Sequence, residues 1–229
     1  MSDGWVSSNA GPGLREAKKQ ETRQQISDHA TRLFLAQGFD VTTIAEIAAA
    51  ARVSTKTVTN YFARKEDLAF DHQDEFVATL ADAVSSRLPD ESALASLRRA
   101  FEAAVAVQDP VAGFAGQAFT RMISDSPTLS AALRRLHDRR EEALADALGE
   151  AIGLPRTHIE VRTAAALLGA VHHVLFQRIQ ELTLQGLPGE AIAETVAAES
   201  ARAFGLLEPA LEDFAVAECD IAPQEAEDR

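Results

Sequence analysis

The stretch TTIAEIAAAARVSTKTVTNYFARKEDL, residues 42–68, decides the fold. It reads as two short helices joined by a tight turn, with a third helix starting at Lys65. Thr43-Ile44-Ala45-Glu46 has the form of a capping box, in which the Thr hydroxyl accepts from an N-terminal amide while the Glu carboxylate reaches back. Ile44, Ile47, Ala48 and Ala51 then share one face at helical spacing. A second start falls at Ser54 or Thr55, and Val58 and Phe62 supply the inward side of that helix. Thr55, Lys56, Thr57, Asn60 and Tyr61 stand between these apolar positions. None is needed for a core, and all can donate hydrogen bonds. A short helix with an apolar back and such a front suits the major groove of DNA.

Working outward, the charge of the chain bears directly on that reading. The net charge is −13, which alone argues against a polyanionic partner. Residues 1–70 hold nine Lys and Arg against eight Asp and Glu, whereas residues 71–229 hold 13 against 27. The balances are +1 and −14. All four lysines (Lys18, Lys19, Lys56 and Lys65) fall in the first part, as does the single tyrosine, Tyr61. An acidic body can present a locally neutral-to-basic end to phosphates, so net acidity does not exclude DNA. The single cysteine, Cys219, excludes an internal disulfide framework and fits a reducing cytoplasm. Met1 to Lys19 lacks the apolar centre of a signal peptide, and no apolar run approaches the ~20 residues of a membrane span.

The rest of the chain reads as helices. Residues 1–14 are small, polar and rich in Gly and Pro, and are expected to be a disordered tail, with Trp5 in it partnerless. A helix runs from Arg15 to Gln37 and stops at Gly38. A long helix is expected over Lys65–Leu88, marked by Leu68, Phe76, Leu80 and Val84. Asp90 is placed to cap a helix to Val107, and Asp109-Pro110 to open the next. Ser126-Pro127 begins one of about 26 residues ending at Gly153. Thr157 to Gln185 and Gly189 to Phe204 complete the set. No segment alternates with period two. The expected fold is all-α with roughly nine helices: a helix-turn-helix domain over 15–68, a larger helical domain over 69–207, and an acidic tail over 208–229.

This order of elements resembles the TetR family of bacterial transcriptional regulators. The resemblance is carried by Phe34, Gly38-Phe39, Thr43, Ile47-Ala48, Val53-Ser54, Thr57, Asn60-Tyr61-Phe62 and Lys65-Glu66-Asp67-Leu68. Two positions depart from it: Arg52 stands where the family usually has a turn glycine, and Arg64 where it usually has a serine cap. The resemblance implies that Lys56 reads bases, that Thr55, Thr57 and Asn60 make base or phosphate contacts, and that Thr43, Tyr61 and Lys65 clamp phosphates. Arg52 in place of the turn glycine implies either a different turn or a contact to a phosphate. Arg15, Lys18 and Lys19 are better read as solvated charges than as minor-groove contacts. The resemblance also implies a homodimer on a two-fold operator. Its interface is expected from the stripes Leu168, Val171, Leu175, Ile179 and Leu182, and Ile192, Val196 and Ala203. The same stripes could equally face the subunit's own core.

The middle helices are expected to enclose a pocket for a small, largely apolar effector. Candidate lining residues are Phe76, Phe101, Phe114, Phe119, Met122, Leu136, His137, His172 and Phe176, each of which plain core packing would also explain. No metal or cofactor is expected. Adjacent His172 and His173 diverge by ~100° on a helix, and the run Asp71–Glu75 reads as a solvated acidic face. An enzyme is not expected, for the chain has no Gly-rich phosphate loop, no zinc-type histidine pair on a helix and no evident nucleophile–base set. A helical interaction adaptor would not need Lys56, Asn60 and Tyr61 exposed. The expectations are therefore a double-stranded DNA operator and a small effector as partners, a cytoplasmic setting, and no membrane.

Overall fold

The computed structural model describes residues 12–217, so Trp5, Cys219, the segment before Pro12 and the end of the acidic tail lie outside the described residues. The described chain is helical, with no strand. It divides into two compact units between Asp71 and His72.

In the first unit, α1 (Pro12–Gln37), α2 (Ile44–Ala50) and α3 (Thr55–Tyr61) are followed by a 3₁₀ turn at Glu66–Leu68. Ile26, Ala30 and Phe34 of α1 are buried with Phe39, Ile47, Ala48, Val58, Phe62 and Leu68. Gly38 ends α1 at φ +97°, and its amide returns to the Phe34 carbonyl at 2.9 Å. Both expected helix starts are present. Thr43 and Glu46 form the complete capping box, and the Ser54 hydroxyl accepts the Thr57 amide.

The second unit contains α4 (Gln73–Ser85), α5 (Ala93–Ala106), a 3₁₀ turn at Pro110–Ala112, α6 (Gln117–Asp125), α7 (Pro127–Ile152), α8 (Ile159–Leu184), α9 (Gly189–Gly205) and the short α10 (Glu208–Leu211). Its core joins Leu80 and Val84 of α4, Leu94, Leu97 and Phe101 of α5, Leu144 and Leu148 of α7, and Phe204 of α9 around α8. Burying each such side chain stabilises the fold by roughly 1.5–3 kcal/mol. By length and composition α8 could cross a membrane. Here Val161, Ala164, Leu168, Leu175, Ile179 and Leu182 are buried in the core instead. At Gly149 a Cβ would lie 2.5 Å from the Leu154 carbonyl, so only glycine lets the chain fold back at the end of α7.

Three boundaries differ from expectation. The helix foreseen over Lys65–Leu88 is broken, with the 3₁₀ turn at Glu66–Leu68 and α4 beginning only at Gln73. Leu68 and Ala69 are buried within the first unit, and Asp71 is held there by the Ser27 hydroxyl at 2.7 Å, so the chain cannot continue straight. The apolar spacing from Leu68 to Val84 stayed in helical register across this break and concealed it. Ser92, not Asp90, caps α5, accepting the Ala95 amide at 3.2 Å. Asp90 takes φ +61° and donates its amide to the Ala217 carbonyl. That pairing, with Ala217 N to Glu91 O and Ala93 N to Phe214 O, corrects the third boundary. Residues 208–217 are docked, not a solvated tail, and Leu211 and Ala215 are buried. Leu211→Ala is accordingly expected to lower the unfolding free energy by about 2–3 kcal/mol in denaturant melts, where a loose tail would leave it unchanged.

Candidate functional site

The front of α3 carries the residues expected there. Thr55, Lys56 and Asn60 are exposed, while Val58 behind them is fully buried. Thr57 and Tyr61 are half-buried, and the Thr57 hydroxyl lies 2.8 Å from Ser54 Oγ, inside the cap. Thr43 is exposed, yet its hydroxyl serves the capping box, lying 2.8 Å from Glu46 Oε2. Glu46 in turn accepts the Thr43 amide, and these two bonds hold its carboxyl below the usual range. Arg52 is exposed at φ +56° in the turn between the helices, a left-handed conformation that costs a non-glycine residue roughly 1–2 kcal/mol. Arg64 is relieved of its missing cap because its amide donates to Asp67 Oδ2 at 2.9 Å.

Lys65 is the correction in this set. Its ammonium donates to the carbonyls of Phe39 (2.8 Å), Asp40 (3.2 Å) and Thr42 (3.1 Å) and sits 4.4 Å over the Phe39 ring. An ammonium has three N–H donors, and all three are committed. Lys65 is a tie within the domain and has no donor left for a phosphate. A second tie escaped sequence reading: Arg23 of α1 donates to the Tyr61 carbonyl at 2.9 Å and stacks 4.4 Å over the Phe62 ring. A cation at that carbonyl meets the negative end of α3.

In the second unit, a cleft of about 630 Å³ opens between α7 and α8, with Leu80 of α4 also on its wall. Arg134, Arg135, Asp138 and Glu141 are exposed around it, and His137, Arg140, His172, His173, Gly169, Ala131 and Ala170 complete the lining. Of the expected pocket residues, only His137 and His172 reach this cleft. A second void of about 30 Å³, large enough for a water molecule, is lined in part by Phe101, Phe176 and His172. Phe76, Phe114, Phe119, Met122 and Leu136 line neither space. The aromatic residues instead stack edge-to-face in two clusters: Phe76, His137 and Phe176 at 5.0–5.8 Å, and Phe101 and His172 at 5.6 Å.

Arg140 was not foreseen. It is 5% exposed, its Nε has no hydrogen-bond partner, and its guanidinium lies 4.5 Å over the Phe76 ring. A cation–π contact supplies roughly 0.5–2 kcal/mol, whereas burying an ion costs several kcal/mol. The ring therefore does not offset the burial, which lowers the Arg140 pKa to about 10. Around it, His172 Nε2, His137 Nε2 and His173 Nδ1 are also buried without partners. Burial first, and then Arg140, depress His172 to about 3; burial, His173 and Arg140 do the same for His137. Both imidazoles are neutral near neutral pH. Among the described residues no group of three His, Cys, Asp or Glu side chains is arranged to hold a metal.

The expected dimer stripes face inward. Leu168, Leu175, Ile179, Leu182, Ile192 and Val196 are buried in the subunit's own core, and Val171 and Ala203 pack against it. The reason is that α8 lies between α7 and α9, so its widest apolar arc is consumed within the chain. The apolar positions left exposed are offset from that arc: Ile159, Leu167 and Val174 on α8, with Leu206, 81% exposed, after α9.

Residues 26–71, which contain α2, α3 and the Lys65 tie, match the family model for bacterial regulatory proteins of the tetR family. The HTH-type transcriptional regulator TcmR of Streptomyces glaucescens is 34% identical over 140 residues, 59% of this chain and 62% of that protein. The first unit is similar to the DNA-binding domain of the TetR family. The matched stretch spans less than two thirds of TcmR. Solved structures extend the fold to the second unit. The TetR-family regulator of Syntrophomonas wolfei is 20% identical with a TM-score of 0.53, covering 82% of this chain and 96% of its own. The SmeT–triclosan complex is 16% identical with a TM-score of 0.55, covering 87% and 96%. The relatives identified are regulators rather than enzymes.

Two outcomes follow from these geometries. Lys65→Met is expected to destabilise the first unit by about 2 kcal/mol, since three carbonyls lose a charged donor. Lys65→Arg should restore little of it, because a planar fork cannot meet three converging oxygens; urea melts of both variants check this. The second concerns pH. The folded chain holds His137 and His172 neutral down to about pH 3, whereas the unfolded chain protonates them near 6.5. The unfolded state therefore binds more protons between those values, and stability, complete above about 6.5, falls as the pH drops through that window. His172→Leu should flatten the slope by up to about 1.4 kcal/mol per pH unit in equilibrium unfolding.

Proposed function

We propose that the protein is a ligand-responsive transcriptional regulator that binds a two-fold DNA operator as a homodimer and is released from it by a small, largely apolar effector. The observation that carries this reading is the front of α3: three exposed donors, Thr55, Lys56 and Asn60, on a helix fixed from behind by Val58 and at its end by Arg23. The Lys56 ammonium suits guanine O6 and N7, and the Asn60 amide suits adenine. Arg52 and Tyr61 flank them toward the phosphates and fix the register, with Thr43 and Thr57, whose hydroxyls serve the caps, beside them. Lys65 contributes by orientation only.

A single helix-turn-helix contacts too little DNA to be selective, and two copies on a two-fold site supply the remainder. The exposed apolar positions Leu167, Val174 and Leu206 are the surface we assign to pairing. The effector is assigned to the α7–α8 cleft, whose volume falls in the range of small-molecule sites. Triclosan, bound by the fold neighbour SmeT, is a guest of comparable kind. Because Leu80 of α4 lines the cleft, a guest there acts on the helix that follows the DNA-binding unit in the chain. A tenfold loss of DNA affinity requires only about 1.4 kcal/mol of differential binding.

Gel shifts on the intergenic DNA upstream of the gene, at several salt concentrations, test the reading. Selective retention of that DNA over a scrambled duplex is the expected result. Lys56→Ala is expected to weaken it about tenfold or more and to relax sequence preference. Equal affinity for both duplexes at moderate salt would defeat the proposal.

A further inference from the structure

We propose that the α7–α8 cleft is a site for an organic carboxylate, whose two oxygens pair with the Arg140 guanidinium and accept hydrogen bonds from His172 and His137. The inference rests on the effector reading above and names the chemistry of the guest. Arg140 is nine-tenths buried at the cleft, its Nε has no partner, and burial is the one influence that shifts its ionisation. Three neighbouring imidazoles each leave a buried ring nitrogen unsatisfied. All four residues line the cleft, and each holds a buried polar atom with no partner, so together they lack an acceptor.

The acceptor must be anionic. Uncharged acceptors would satisfy the imidazoles but leave the guanidinium uncompensated, and a cation or metal would face it with like charge. A carboxylate matches the planar fork of the guanidinium in a bidentate pair, and a neutral imidazole can donate to the same group without itself ionising. Arg134 and Arg135 at the mouth are balanced by Asp138 and Glu141, so the charge that selects the guest is that of Arg140, while Leu80, Ala131 and Ala170 leave room for an uncharged body. The guest is therefore an aliphatic or aromatic acid: largely apolar, with one carboxylate buried against Arg140.

Calorimetric titration of the full-length protein with benzoate, 2-naphthoate and octanoate, each beside its own amide, tests this. At least one acid should bind at least tenfold more tightly than its amide, the difference expected from losing a charge-assisted hydrogen bond. Arg140→Met should abolish that preference. Arg140→Lys, which retains the charge but not the fork, should reduce it without abolishing it. Equal binding of every acid and its amide, or an acid preference surviving in Arg140→Met, would overturn the proposal. Gel shifts of the wild-type protein keep the two readings separate. Acid-selective binding by a protein that forms no operator complex would remove the DNA reading and leave the site standing; an operator complex without any acid preference would do the reverse.

Discussion

Two turns of helix do not hold themselves together in water. Everything in the DNA-binding unit follows from that constraint, because both α2 and α3 are seven residues long. Each compensates at its start with a side-chain cap, Thr43 with Glu46 on α2 and Ser54 on α3. The ends are held by long side chains arriving from elsewhere: Arg23 reaches α3, and Lys65 gathers the loop that precedes α2. Tertiary ties thus do what helix length cannot. The outward residues of α3 are free of structural duty because residues behind and beside them carry it.

The second unit shows the opposite regime. Its helices α7 and α8 are 26 residues each, and their packing is extensive enough to tolerate a buried cation. An isolated charge in such an interior is a local destabilisation that the surrounding apolar contacts outweigh. That surplus is what permits a site to be kept ready. A guest that neutralises Arg140 removes an existing penalty as well as adding contacts, so its affinity draws on strain already present in the empty protein.

Much of this was legible in the sequence, and the failures have identifiable causes. The capping box, the cap at Ser54, the stop at Gly38 and the Ser126-Pro127 start are local signals, complete within four residues, and each is present in the structure. Lys65 read as a phosphate contact because its partners are backbone carbonyls more than twenty residues away, and carbonyls carry no sequence label. Arg140 was hidden by its neighbours. The run Asp138-Arg139-Arg140-Glu141-Glu142 is charged throughout, yet Arg140 stands four residues from Leu136 and from Leu144, both buried. The signal was the inward register of that one position. The dimer stripes failed through an ambiguity already visible in the pattern: periodicity gives the direction of an apolar arc but not what covers it.

The Lys65 tie bears finally on how the DNA-binding unit assembles. Its three carbonyls lie 23 to 26 residues back along the chain, so closing it requires a loop that contains α2, the turn and α3 together. Loop-closure entropy of that size is recovered only when the enclosed elements are in place. The hairpin and its tie are therefore formed together or not at all. Opening at Lys65 releases the whole reading head as one unit, and exchange of the buried α3 amides with solvent should proceed in concert rather than by fraying from one end.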